Sequence, residues 1–228
     1  MSVRRDRFGH RLVASLRATR HGVSGLALMI VRDYPGPTGA RLRYRYYRRR
    51  LASLGPGTRI DEGVHIVGAD HVHIGSNCWI AANAFLAAGP TGKQHREVIN
   101  RPNDDYLGPE GELHLGDDVY VGPQVYVNAH GGVRVGKNVA LSVGAKIFSA
   151  SHYHRSSGGP PGKPTYAGGM GLSANDRQAL LLGPVVIHDR AFVGANAVVL
   201  PGVTIGPSSW LGAGAVARED VQPESIHS

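Results

Sequence analysis

Two short stretches of this 228-residue chain set groups capable of proton transfer side by side: Asn128-Ala129-His130 and His152-Tyr153-His154. Histidine titrates near neutrality, so an imidazole beside a polar side chain is suited to general-base removal of a hydroxyl proton. The oxygen so activated can attack a thioester carbonyl, with backbone N–H groups at a turn stabilising the oxyanion. The sequence has no nucleophile-elbow motif built on Ser or Cys, so direct attack without an acyl-enzyme is expected.

What must position these groups is read from the rest of the chain. From Val185 to Arg218 every sixth residue is apolar: Ile187, Val193, Val199, Ile205 and Leu211. Two residues before each stands a small or β-branched residue, namely Val185, Ala191, Ala197, Val203 and Ser209. A helix repeats at 3.6 and a plain strand at 2, so neither uses a period of six. Short strands joined by tight corners do, in an all-β solenoid whose coils each take three hexapeptides.

The same ruler runs through Ile60 and Ile66, then Ile74, Ile80 and Leu86, and again through Leu115, Val121 and Val127, then Val135, Leu141 and Ile147. Cys78 occupies a small-residue position and reads as core packing. About six coils of 18 residues fit, making a prism about 25–30 Å long. Two long Gly- and Pro-rich loops interrupt it, 89–112 and 155–183. Long loops inside a compact repeat carry function more often than connectors do. Asn128 and His152 stand 24 residues apart, one coil plus a six-residue side or corner insertions, a spacing compatible with adjacent coils. His65, His71 and His73 read as surface polar residues.

The chain divides into a basic helical segment (1–54), a β-helical domain (55–223) and a tail (224–228). Residues 1–50 hold 13 Arg and 2 Asp, a local charge of +11, whereas the remainder carries −3. A loosely amphipathic helix is expected over 1–20. A second, over 40–54, has its inner face at positions 42, 46, 47, 51 and 54 and either caps the solenoid or lies on a membrane surface. Pro35 and Pro37 end whatever precedes them. No nucleic-acid-binding signature accompanies the charge, and no nucleic-acid partner is expected. The single Cys excludes a disulfide framework, and no apolar run reaches 18 residues. A cytoplasmic protein is expected, peripheral at the inner membrane face if residues 1–50 engage lipid.

The stretch GPVVIHDRAFVGANAVVLPGVTIGPSSWLGAGAV resembles the C-terminal half of hexapeptide-repeat acyltransferases. The resemblance implies a left-handed parallel β-helix, a homotrimer, and acetyl-CoA bound between subunits, with no metal required. The order of parts is most similar to the branch that O-acetylates sugars or polysaccharide and glycolipid precursors. It implies His152 as general base and Asn128, with His130 and His154, as acceptor-binding residues. For the acetyl-CoA side it implies Phe192, Ala195 and Ala213, with Arg218 or a loop residue such as Lys163 meeting the CoA phosphates, since Glu219 stands where a cation is usual. Asp104, Asp105 and Glu110 are candidates for orienting a histidine or binding sugar hydroxyls. Two other classes share such a prism. A γ-type carbonic anhydrase needs three zinc-binding histidines, two at a His-x4-His spacing absent here. A non-catalytic scaffold leaves the polar interruptions unexplained.

Overall fold

The computed structural model describes residues 29–91, 97–153, 155–156, 165–166 and 179–228. Strands of two to four residues assemble into three parallel sheets of six, six and seven strands, visited by the chain in strict rotation. One rotation runs from Tyr120–Val121 to Tyr126–Asn128 to Val133–Val135, each strand on a different sheet, before Ala140–Leu141 returns to the first. The architecture is therefore an all-β coil with three flat faces, and the six-residue ruler is its side length.

The ruler residues fill the axis. From Ile60 to Leu211 they are 0–4 % exposed except Ile66, which lies on the terminal strand of its sheet and is covered from one side only. The small or β-branched residues two places earlier sit at the corners, and most follow a residue in the left-handed region, as Asn77 before Cys78, Asn138 before Val139 and Asn196 before Ala197. Asn tolerates this conformation better than most residues, which explains its recurrence at the corners. Gly144 (φ +67°) is needed twice over, since a Cβ there would lie 2.3 Å from the Oδ1 of Asn196 on the next coil. Cys78 is buried as expected, its thiol 3.1 Å from the carbonyl oxygen of Gly116.

The basic helix α1 spans Gly36–Tyr47, earlier than the expected 40–54, with Pro37 in its first turn, where a residue needs no N–H partner; the helical turn over 29–33 ends before Pro35, as expected. Of the expected inner face, Tyr46, Tyr47, Leu51 and Leu54 pack on the core as expected and Leu42 does not. Gly39, Arg43 and Tyr47 are buried, while Leu42 is 38 % exposed. Arg43 is a plug: Nε donates to the carbonyl of Ile60 (2.8 Å), and Nη1 to those of Val31, Arg32 and Tyr34 (3.2, 3.2 and 2.7 Å). It satisfies carbonyls at the end of a helical turn and ties them to the first coil. The expected helix over 1–20 lies outside the described residues. Among the described residues no helix is long and apolar enough to cross a membrane.

The coil extends further than the ruler implied. Ser53–Leu54 pairs with Val72–Ile74, and Ile226–His227 pairs with Trp210–Leu211, so backbone pairing continues to both ends where the apolar signal fades. The second excursion also starts earlier than residue 155. Ala150–Tyr153 has already left the three faces to pair antiparallel with Ala179–Leu182, which in turn pairs parallel with Glu97–Asn100 of the first loop. The two loops thus share one small sheet, with Ala150, Leu180 and Leu182 as its own apolar cluster.

Candidate active site

Both loops leave from the same corner of the prism. Between them, one coil up from the first and one down from the second, lies the short turn Asn128–Gly132. Asn128 ends its strand, paired to Ala87 below and Phe148 above. Its Oδ1 accepts from the N–H of His130 (3.2 Å), a local turn that carries the chain round the corner. The Nδ2 amide of Asn128 donates to no partner among the described residues.

His130 turns toward the first loop, where its Nδ1 is 2.7 Å from the carbonyl oxygen of Gly89. A carbonyl only accepts, so Nδ1 carries the hydrogen and the neutral ring presents its lone pair at Nε2. Gly89 is itself fixed, its N–H donating to Gly111 across the loop's neck (2.7 Å). Above the turn, the fully buried Ser149 donates from Oγ to the carbonyl of Asn128 (2.7 Å) and accepts from the N–H of Gly131 (2.9 Å). Ser149 is thereby a structural link between coils, with its hydroxyl engaged on both sides.

The first loop then straps across the coils above. Tyr106 lies on Gly132, where a Cβ would come within 2.5 Å of its ring, and its hydroxyl donates to Pro109 (2.8 Å). Burial, with the nearby Glu112 carboxylate adding to it, pushes the Tyr106 phenol up to about 12. Asn103 donates to the carbonyl of Pro184 (3.2 Å) and to Thr204 Oγ1 (3.0 Å). Asp105 meets His188 at 3.6 Å, and Glu110 accepts from Thr91 at 3.2 Å.

His152 is exposed on the strand Ala150–Tyr153, opposite Leu180 in the antiparallel register. Alternation along that strand sets it on the same side as Ala150, at the rim of the cluster with Leu180 and Leu182. His154 and Lys163 lie outside the described residues. The structure therefore gathers Asn128, His130 and the strand bearing His152 around one corner.

It does not bring the remaining expected residues there. Phe192 lies on another face, between Ala140 and Trp210, its ring 5.2 Å from that of Trp210. Ala195 and Ala213 lie at a second corner, where the Ala195 carbonyl receives the N–H of Gly214 (2.8 Å). Arg218 follows the strand Val216–Ala217 and returns to the first corner's column, three strands from Asn128, or about 14 Å at 4.8 Å per strand. Sequence reasoning missed Gly89, Tyr106 and Ser149. Only Ser149 left a trace, as a polar residue two places after Ile147.

Residues 184–222 match the family model described as bacterial transferase hexapeptide (six repeats). Among curated proteins, the bifunctional protein GlmU of Acinetobacter baumannii (strain AYE) is 29 % identical over 80 % of this chain and 39 % of its own length. The chain thus spans about two-fifths of that relative. The galactoside O-acetyltransferase of Escherichia coli (strain K12) is 23 % identical over 89 % of this chain and 71 % of its own. Among solved structures, a point mutant of AntD, an N-acyltransferase from Bacillus cereus, in complex with dTDP and coenzyme A, superposes with a TM-score of 0.61 at 15 % identity, covering 85 % of each chain. The likeness to AntD is one of fold. The chain carries the hexapeptide-transferase repeat.

Proposed function

We propose that this chain, a hexapeptide-repeat protein coiled left-handed, is an acyl-CoA-dependent O-acyltransferase that moves an acetyl group to a hydroxyl of a sugar or of a polysaccharide or glycolipid precursor. The observation that supports this reading is the shared sheet of Ala150–Tyr153, Ala179–Leu182 and Glu97–Asn100, whose strand bearing His152 follows directly on Lys146–Phe148, the register neighbour of the strand ending at Asn128. His152 takes the acceptor's hydroxyl proton as the oxygen attacks the thioester carbon. The tetrahedral oxyanion collapses with cleavage of the C–S bond, and the imidazolium returns its proton to the CoA thiolate. Asn128 holds the acceptor through its amide, and His130 and His154 contact it from the loop side.

Acetyl-CoA runs along the late coils past Phe192, Ala195 and Ala213, with Arg218 toward its phosphates. In a single chain Phe192, Ala195 and Ala213 lie on a different face and corner from Asn128, and Arg218 lies three strands from it along the same column. A neighbouring copy supplies the missing half, which supports a homotrimer with its sites between subunits. Residues 1–50 make a contact to an anionic membrane surface, supported by exposed Met29 and Ile30 beside the Arg-rich helix α1, and the protein works in the cytoplasm at the inner membrane face.

The test is thiol release from acetyl-CoA against a panel of sugar acceptors, hydroxyl and amino, with wild type beside His152→Ala. Turnover on a hydroxyl acceptor that falls at least about a hundredfold in the variant supports the reading. Undiminished turnover, or turnover on amino sugars alone, overturns it. A second reading assigns the base to His130, whose Nε2 lone pair is fixed by the Gly89 carbonyl.

A further inference from the structure

One face of the prism carries a cluster that acyl transfer leaves unused. His73 and His114 are direct register partners on the adjacent strands Val72–Ile74 and Leu113–Leu115. Their strand neighbours point inward, since Val72, Ile74, Leu113 and Leu115 are all buried, and the two imidazoles therefore project from the outer face. The rings stack with centroids 4.3 Å apart and planes within 3°. Glu112, the last residue of the first loop, brings its Oε2 to 2.6 Å from His114 Nε2 and 3.8 Å from His73 Nε2. One ligand atom from each of the three side chains lies within 4.8 Å of the others.

We propose that His73, Glu112 and His114 bind a zinc-type divalent ion that staples the foot of the first loop to the sheet. Two imidazoles and one carboxylate suit zinc, cobalt or nickel; magnesium and calcium prefer oxygen donors throughout. The far nitrogen of His73, Nδ1, is 3.2 Å from Ser53 Oγ on the preceding strand, a contact that turns Nε2 toward the carboxylate. The side chains are 23–37 % exposed, which leaves room for water to complete a tetrahedral shell.

The two rings are parallel, and their lone pairs run side by side. Rotation of one ring about its Cβ–Cγ bond makes them converge, and coordination then replaces the His114–Glu112 hydrogen bond with release of any proton shared between them. Arg134, the register partner of His114 on its other side, opposes a cation there, so micromolar affinity is expected. The site has no part in the acyl-transfer chemistry. It fixes the end of a loop whose start, Gly89, holds His130.

The test uses the full-length protein stripped by chelation, titrated calorimetrically with zinc chloride and followed by visible absorption with cobalt chloride. One ion per chain is expected, with affinity weakened at least about tenfold in His114→Ala and in Glu112→Gln, and unchanged in His152→Ala. Zinc should raise the unfolding temperature of wild type and not of Glu112→Gln, a variant that keeps a polar side chain of the same size. Absence of binding overturns the proposal. So does binding that survives His73→Ala/His114→Ala, or that is lost in His152→Ala and kept in His114→Ala. No readout depends on acyl transfer, so failure here and failure of the functional reading are separate results.

Discussion

His130 donates its Nδ1 hydrogen to the carbonyl oxygen of Gly89, 2.7 Å away and 41 residues earlier in the chain. That bond ties the turn holding Asn128 to the neck of the first loop and fixes which nitrogen of His130 faces outward. If His130 positions the acceptor, His130→Ala raises the acceptor KM about tenfold and leaves kcat within about threefold, because ground-state binding is what is lost. His152→Ala instead lowers kcat by about 10²–10⁴. Steady-state kinetics on both variants decide the roles, and a reversed pattern assigns the base to His130.

Ser149→Ala removes the donor to Asn128 and strands the buried N–H of Gly131. A loss of about 1–3 kcal/mol is expected in urea denaturation. A change within a few tenths would show that the corner does not depend on this hydroxyl.

Arg43→Met keeps the stem of the side chain and deletes its bonds to four carbonyls. The buried Ile60 carbonyl left without Arg43 costs about 1–3 kcal/mol and the half-buried ones less, so α1 should loosen from the first coil. Amide exchange in Gly36–Tyr47 should rise by at least about tenfold, with the distant coil Val185–Leu211 unaffected. Equal exchange in both segments contradicts the plug.

Alkaline pH should release the strap. The folded state holds the Tyr106 phenol up to about 12, against about 10 in an unfolded chain, so the native form keeps a proton that the unfolded form has lost. Its contribution to stability is complete below about pH 10 and falls as pH rises from about 10 through about 12. Tyr47, also raised to about 12 by burial, contributes in the same window. Tyr106→Phe should flatten part of this slope in thermal melts taken across that range.

Burial pushes the Cys78 thiol up, and a thiolate is the reactive form. A thiol reagent should leave the native protein unlabelled and modify one thiol per chain after unfolding. Cys78→Ala should retain acyl transfer, and its loss in that variant would contradict direct attack by the acceptor.

The repeat was legible because its period is set locally. Most corners take a residue able to enter the left-handed region, each axis position an aliphatic side chain, and most positions two places earlier a small or β-branched one. Those demands recur every six residues whatever surrounds them, so Ile60 and Leu211 obey the same rule. The ends were less legible. Ser53–Leu54 and Ile226–His227 join by backbone pairing, which leaves no apolar trace. Arg43 was not legible as part of the inner face of α1 because it is buried for its donors, a use that hydrophobic spacing does not record.

The sequence by itself determined the coil, the two interruptions and the residues most able to move a proton, because side-chain type and period are enough for each. Only the tertiary structure decided that both loops leave one corner and share a sheet, so that Glu97–Asn100 and Ala150–Tyr153 flank the same strand. It also decided that His73 and His114, far apart in the chain, stack face to face. Pairing between coils depends on how many residues each loop inserts, and that count fixes register only once the chain has closed on itself.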